Sequence, residues 1–352
     1  MALSVITDIE VRVVRLSFPE PVRFGRDRIA ARDAVIVRIS DEHGEVGLGE
    51  TTELPHPDAV ATARAWAVAR TPDELHTSGG PWSLGVLPTR LCGALDSALL
   101  DLRARQAGVP AAALIGRVVA RADVRVNALL LVRGPGDDAG ASAGRLVADG
   151  FDTLKLKLDG ADQGVPEPWW IEALAAVRDA AGAATAIRLD LNGALDPEAA
   201  VKWLPTLADL ALEYVEQPIA PTHGAGALGA LRGSGTAIAA DESVTDMVAA
   251  LDLLEAGCDV LVVKPGRVGG PLRAHAIVEA ATEAGVPVTI STVHETSVGI
   301  ASALHLAATV AGDRAHGLAT GHLAEGDPVD GLPQVRGGRL AVRGPGLGVG
   351  LA

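Results

Sequence analysis

Lysine is nearly missing from this 352-residue chain: of 30 lysine and arginine residues only four are lysine, at 155, 157, 202 and 264. Arginine serves a surface that needs cations for solubility, but it cannot replace an amine that must lose its proton. The surviving lysines are therefore candidates for chemistry. Lys202, in the helix-like run DPEAAVKWLPTLADL, reads as a solvated helix position instead. Cysteine is equally scarce. Cys92 and Cys258 stand far apart in apolar contexts, without the spacing of a metal site, and read as buried structural thiols. No basic run occurs and the net charge is -14, which gives little support to a nucleic-acid or anionic-membrane partner and favours small molecules. No apolar stretch reaches the length of a membrane span. The start, MALSVITDIEVRVVRL, lacks a basic segment followed by an apolar core, so a cytoplasmic protein is expected.

What is present is a large apolar fraction, 48% of the residues, enough for one barrel with a cap or for two domains. From about residue 125 the chain repeats a short apolar run, a turn and an Ala/Leu-rich helical stretch. Strands are expected at 124–132, 153–158, 186–191, 210–216, 237–241, 260–264, 287–291 and 316–320. The segments between them have helix-period apolar faces, often entered through Asp, Ser or Pro and left through Gly. Eight alternations over about 200 residues suit a closed parallel α/β barrel better than an open sheet. The first 120 residues differ: two strand-like stretches precede helices near 58–70 and 90–107, an α+β pattern. The Gly-rich tail is too short to stand alone and is expected to pack back on the rest.

Charged residues collect where these strands end. Lys155 and Lys157 lie on strand two, Asp190 and Asn192 end strand three, Glu216 ends strand four, Asp241 and Glu242 end strand five and Lys264 ends strand six. In such barrels the strand C-termini build the active site, so these ends converge on one pocket. Asp190, Glu216 and Asp241 would repel one another unless a cation neutralises them, and oxygen-only donors favour Mg²⁺ or Mn²⁺ over zinc. The two-residue period puts Lys155 and Lys157 on one face, with Leu154, Leu156 and Leu158 facing the helices. Lys264 approaches from the other side. Two amines flanking a metal-bound carboxylate substrate can each remove or deliver a proton, given neighbouring positive charge that lowers an amine's pKa. Other uses of the same barrel are a Schiff-base aldolase, with one lysine as nucleophile, and a barrel kept for binding without catalysis.

Taken together, the Lys-x-Lys strand, Asp190 of DLN, Glu216 of VEQP, Asp241 of ADES and Lys264 of VVKPGRVGG resemble the enolase superfamily, specifically its muconate-lactonizing subgroup. The resemblance implies a modified (β/α)7β barrel at 121–322, an α+β capping domain at 1–120, a segment at 323–352 packed on the capping domain, and a homo-oligomer. It implies a Mg²⁺-dependent (or Mn²⁺-dependent) lyase or isomerase that takes the proton α to a substrate carboxylate through an enediolate. Asp190, Glu216 and Asp241 would be the metal ligands. Lys157 and Lys264 would be the acid/base pair, with Lys155 supporting the charge near Lys157. Ser291 and Glu295, in ISTVHETSVGIASALHLAA, become candidate pocket residues, with Asn192 and Glu242 behind the site and His294 a polar loop residue. Substrate choice is implied to lie in capping loops at 20–31 and 51–58. Dipeptide epimerases carry an Asp-x-Asp in the strand-eight region, whereas this chain has GLATGHL at 317–323, which weighs against that activity. The segments HGLATGHLAEGDP and ETSVGIASALHLAA lean toward o-succinylbenzoate synthase, with cycloisomerase open and N-acylamino-acid racemase or dipeptide epimerase as the alternative.

Overall fold

Two long strands open the chain. In a computed structural model that describes residues 4–24, 27–116, 120–160 and 164–351, β1 (Ile6–Phe24) and β2 (Asp27–Asp41) form an antiparallel hairpin, and β3 (Val46–Thr51) pairs with β2. Alternate residues of this sheet, among them Ile9, Val37 and Ile39, pack against α1 (Pro57–Ala67), α2 (Pro72–Thr77) and α3 (Thr89–Ala107). The contact of β3 with α3 is backbone on backbone: a Cβ built at Gly49 would stand 1.9 Å from the carbonyl oxygen of Ala94.

The segment 20–31, expected as a loop, is the paired tip of the hairpin. Val22 faces Ile29 across it, and Leu16, Phe18, Val22 and Ala34 form a small core that holds the two strands together. Gly25 and Arg26 lie outside the described residues. The other expected loop runs from Thr51, at the end of β3, into the first turn of α1 at Asp58, and Glu53 in it meets Arg90 at 2.6 Å.

The expected strand at 124–132 is two strands. β4 (Asp123–Arg125) turns away to another partner, while β5 (Ala128–Val132) opens a parallel sheet. Its neighbours follow in chain order: β6 (Thr153–Leu158), β7 (Ala186–Asp190), β8 (Tyr214–Glu216), β9 (Ile238–Ala240), β10 (Val260–Val263) and β11 (Val288–Ile290). The eighth segment, expected at 316–320, contributes single bridges, Val126 to His316 and Ser291 to Gly317. They suffice to close the barrel, because His316 donates to Arg125 at 2.8 Å while Gly317 donates to Ile290 at 2.8 Å on the other side.

Between and after the strands lie α4 (Ala112–Ile115), α5 (Ala139–Ala148), α6 (Trp170–Ala181), α7 (Pro197–Trp203), α8 (Gly224–Gly229), α9 (Met247–Glu255), α10 (Pro265–Val268), α11 (Pro271–Glu283) and α12 (Ser297–Ala307). Side-chain caps start several of them, as where Asp138 accepts from Ala141 and Asp246 from Ala249. The helix expected over 196–210 stops at Trp203, and a 3-10 turn carries the chain on past Pro205, whose missing N–H cannot continue an α-helical ladder. In the tail, β12 (Val329–Asp330) pairs with β14 (Gly350–Leu351), and β13 (Arg339–Ala341) pairs with β4. The buried Asp101 of α3 accepts from Leu48 and from Leu347, joining β3, α3 and the tail at one carboxylate. Among the described residues no helix is long and apolar enough to cross a membrane.

Candidate active site

On β6 the leucines at 154, 156 and 158 are buried in the core between sheet and helices, and the lysines point the other way, into the barrel. Sheet register then sets the site. Lys157 is opposite Asp190, and Asp190 is opposite Glu216. Asp190, Glu216 and Asp241 are all fully buried, and each offers a carboxylate oxygen within 4.8 Å of the others. The lysines reach the same cluster. Lys155 Nζ is 2.9 Å from Asp190 and 2.6 Å from Glu216, Lys157 Nζ is 3.1 Å from Asp190, and Lys264 Nζ is 2.5 Å from Asp241. Three strands, β7 to β9, lie between β6 with Lys157 and β10, which Lys264 follows, so the two ammonium groups come from opposite sides.

Burial works against every charge here. For Asp190 it is outweighed by Lys155 and Lys157, and for Asp241 by Lys264 and Arg267, so both carboxyls lie well below the usual range. Glu216 goes the other way: burial and the neighbouring Asp190 push it up to about 8, although Lys155 touches it. Three buried acids this close do not all ionise without further positive charge. Burial opposes the charge on Lys155 too, but Asp190 and Glu216 outweigh it and raise this amine well above its usual value.

Around the cluster, backbone and side chains are held in unusual conformations. Asn192 (φ 47) and Gln217 (φ 42) are left-handed without being glycine. That conformation lets the Asn192 side chain accept from Lys157 at 3.1 Å and donate to Glu242 at 3.0 Å. The Gln217 carboxamide accepts from the backbone N–H groups of Asp241 and Ser243. Gln217 and Arg267 escaped the sequence reading. Arg267 had a signal, since α10 is one turn long and places residue 267 three after Lys264, where it donates to both Asp241 Oδ1 and Asp241 O at 2.9 Å.

Ser291 and Glu295 are placed next to the cluster rather than in it. Ser291 donates across the barrel seam to Gly317. Glu295 accepts from Val293 and fills a slot whose walls are Gly266 and Gly299, where an added Cβ would come within 2.1 Å and 2.5 Å of its side chain. His294 (φ 59) lies edge-on to Phe18 of the hairpin, 5.8 Å between ring centres. Two residues of the N-terminal sheet, which the sequence did not single out, also reach this loop: Arg32 donates to the Val293 carbonyl and Glu50 accepts from Thr296.

The donor set suits a hard divalent cation: three carboxylates, no sulfur or imidazole, and a buried Glu216 Oε2 with no hydrogen-bond partner. Comparison with known proteins agrees with this chemistry. The family described as enolase C-terminal domain-like matches residues 138–352. Its match extends over more than half of the chain and includes the carboxylates and Lys264. The chain belongs to the enolase superfamily. Among its relatives, the hydrophobic dipeptide epimerase of Enterococcus faecalis is 30% identical, over 98% of this chain and 99% of that protein. The o-succinylbenzoate synthase of Thermobifida fusca is 37% identical, over 61% of this chain and 68% of that protein. A solved structure of the Enterococcus faecalis dipeptide epimerase, complexed with Mg and the dipeptide L-Leu-L-Tyr, superimposes with a TM-score of 0.84 at 28% identity and covers 98% of this chain and 99% of that one. These superfamily relatives are enzymes, and this chain shares their mixed α/β barrel fold and their general type of reaction.

Proposed function

We propose that the protein is a Mg²⁺-dependent lyase or isomerase that removes the proton α to a substrate carboxylate, with Lys157 and Lys264 as its acid/base pair. The observation that carries this reading is the approach of two ammonium groups to one carboxylate cluster from opposite sides of the barrel. Asp190, Glu216 and Asp241 would hold the metal. The bound cation supplies positive charge against the negative charge that develops on the substrate carboxylate as the proton leaves.

The remaining roles belong to the chain's own side chains. Lys157, as the free amine, takes the α-proton and becomes an ammonium, and Asn192 fixes where its nitrogen sits. Lys264, on the other face, delivers a proton in an epimerisation or remains charged opposite the developing anion in an elimination or cycloisomerisation. Lys155 stays protonated between Asp190 and Glu216 and balances their charge. Among the activities this machinery serves, o-succinylbenzoate synthesis or cycloisomerisation is our first reading, supported by the absence of acids at 317–320. Epimerisation is the second, supported by the end-to-end similarity to a dipeptide epimerase.

The test is exchange of the substrate α-proton in deuterated water across carboxylate substrates of these classes, with Mg²⁺ and with EDTA. Wild type is expected to exchange only with metal, and Lys157→Ala to lose at least about 10²-fold, the usual worth of a positioned base. Undiminished exchange by Lys264→Ala on every accepted substrate would sink the paired-lysine reading. Borohydride trapping of a carbonyl substrate, with indifference to EDTA, would support an aldolase instead.

A further inference from the structure

One edge of the N-terminal sheet is β1, and the outward backbone groups of this strand can be followed residue by residue. Ser17 exchanges backbone hydrogen bonds with Glu325, at 3.0 Å and 2.8 Å, so its N–H and C=O point away from β2. The β1–β2 register runs without a shift from Asp8 to Ser17, and in an antiparallel pair every second residue points the same way. Ile9, Val11, Val13 and Arg15 therefore also face outward. The Ile9 carbonyl shows it directly, accepting from Arg64 of α1 at 2.7 Å.

Both ends of this edge are covered. Ile6 bonds with Arg70 and Ala69 at one end, and at the other Glu325 holds Ser17 while Gly326 lies against the Arg15 carbonyl. Between these ends, among the described residues, no hydrogen bond reaches the outward N–H or C=O of Val11 or Val13. Val13 is 50% exposed. No proline or bulge interrupts the stretch from Asp8 to Leu16, and an open edge of this kind is a template for another strand.

The charges say which strand fits. Glu10 and Arg12 project from the face opposite to Ile9, Val11 and Val13. Glu10 meets Arg38 in an exposed pair, whereas Arg12, also exposed, has no ion pair among the described residues. An antiparallel copy of the same strand must align outward residues with outward ones. Centred on Glu10, it sets Glu10 against Glu10; centred on Arg12, it sets Arg12 against Arg12. Centred on Val13, it needs Ser17, which Glu325 already holds, and centred on Ile9 it sets Asp8 against Glu10. Only the register centred on Val11 keeps clear of both ends and places each Glu10 opposite the partner's Arg12.

We infer that β1 is a self-association edge, on which a second copy of this chain lays its own β1 antiparallel about a twofold axis at Val11. Val11 exchanges its outward bonds with the partner's Val11, and Val13 exchanges its own with the partner's Ile9, whose carbonyl keeps a second lone pair beside Arg64. Glu10 and the partner's Arg12 fall in the non-hydrogen-bonded positions, where facing side chains come closest. Twofold symmetry makes each of these contacts occur twice, the self-complementarity that a dimer of identical chains requires. The N-terminal sheets of the two copies then join into one, with no open edge at β1. This rests on the strand alone and is independent of the proposed reaction.

The test is sedimentation equilibrium of the full-length protein at micromolar concentration. Wild type is expected to sediment as an assembly of an even number of chains. Arg12→Glu and Glu10→Arg each set like charges opposite one another and are expected to halve that mass. The double variant Glu10→Arg/Arg12→Glu restores opposite charges in this register and is expected to recover it, a rescue that a misfolded chain does not give. Cysteine cross-linking checks the register. Facing Cα atoms about 5.5 Å apart suit a disulfide, so oxidised Val11→Cys should run as a covalent dimer without reductant, and Val13→Cys, whose two copies stand apart, should not. A monomeric wild type, a mass unchanged by both single reversals, no recovery in the double variant, or cross-linking by Val13→Cys in place of Val11→Cys overturns the inference.

Discussion

Glu50, on the last strand of the N-terminal sheet, accepts hydrogen bonds from the backbone N–H of Thr296, the Thr296 hydroxyl and the N–H of Gly299, all in the first turn of α12. One carboxylate from the sheet domain thus caps the helix that follows the 293–295 loop beside the active site. Glu50→Ala is expected to leave these donors unpaired and to destabilise the protein by about 2–3 kcal/mol, read as a lower urea midpoint. A midpoint equal to wild type would show that the sheet domain does not hold α12 through this residue.

Buried ionisable groups away from the carboxylate cluster set the pH range of stability. Burial, with Glu295 nearby, pushes Glu50 up to about 8, and burial pushes Asp96 up to about 7. The folded chain therefore binds more protons than the unfolded chain between the ordinary carboxylate range and those values, so stability should fall as pH rises from about 4 to about 8. His305 and His316 act at the other end. Burial holds them down at about 4 and about 3, so the folded chain binds fewer protons than the unfolded one below about 6.5, and stability falls as pH drops toward 3. The melting temperature should therefore pass through a maximum between these limbs. Asp96→Asn should flatten the alkaline limb, and a profile of unchanged slope would refute the assignment.

Gly49→Ala should prevent folding or cost more than about 4 kcal/mol, because its Cβ would meet the rigid carbonyl of Ala94, a backbone atom with no room to retreat. Gly266→Ala is expected to be milder, since it displaces only the end of the Glu295 side chain. Thermal melting of the soluble fraction distinguishes the two outcomes.

Metal affinity should depend on groups that do not themselves touch the ion. Gln217 accepts from the Asp241 backbone N–H, so Gln217→Ala should weaken Mg²⁺ binding by roughly 10–100-fold, the usual cost of an outer partner. Asp241→Asn should weaken it further. Titration calorimetry on the protein without substrate gives both values, and an unaltered affinity in Asp241→Asn would remove this carboxylate from the proposed ligand set.

The barrel was legible because its signal is local: each strand-turn-helix unit announces itself by period, and each unit's charged terminus is written at its end. Lys155, Lys157, Asp190, Glu216, Asp241 and Lys264 stand out this way, and the barrel brings their side chains together because β6 to β10 stand side by side in chain order. What stayed hidden depends on distance in sequence. Glu50 gains its role from a helix about 250 residues later, and Arg32 from a carbonyl at 293. The eighth strand was overestimated because two bridges close the sheet where five apolar-looking residues seemed to promise a full strand. The loop at 20–31 is an expectation from the resemblance alone, and the small core under the hairpin tip needs residues from both strands, which no local pattern shows.

The scarcity of lysine also makes the folded surface unusual toward amine-directed reagents. Lys155 and Lys264 are buried and Lys157 largely so, which leaves Lys202 on α7 as the one exposed lysine side chain. An acylating dye or a cross-linker with amine specificity should therefore mark, among the lysines of the native protein, Lys202, on a helix outside the barrel. The same reagent reports on opening of the barrel mouth: modification at Lys157 needs access that the hairpin restricts, so its rate against that of Lys202 is an internal clock for entry to the site.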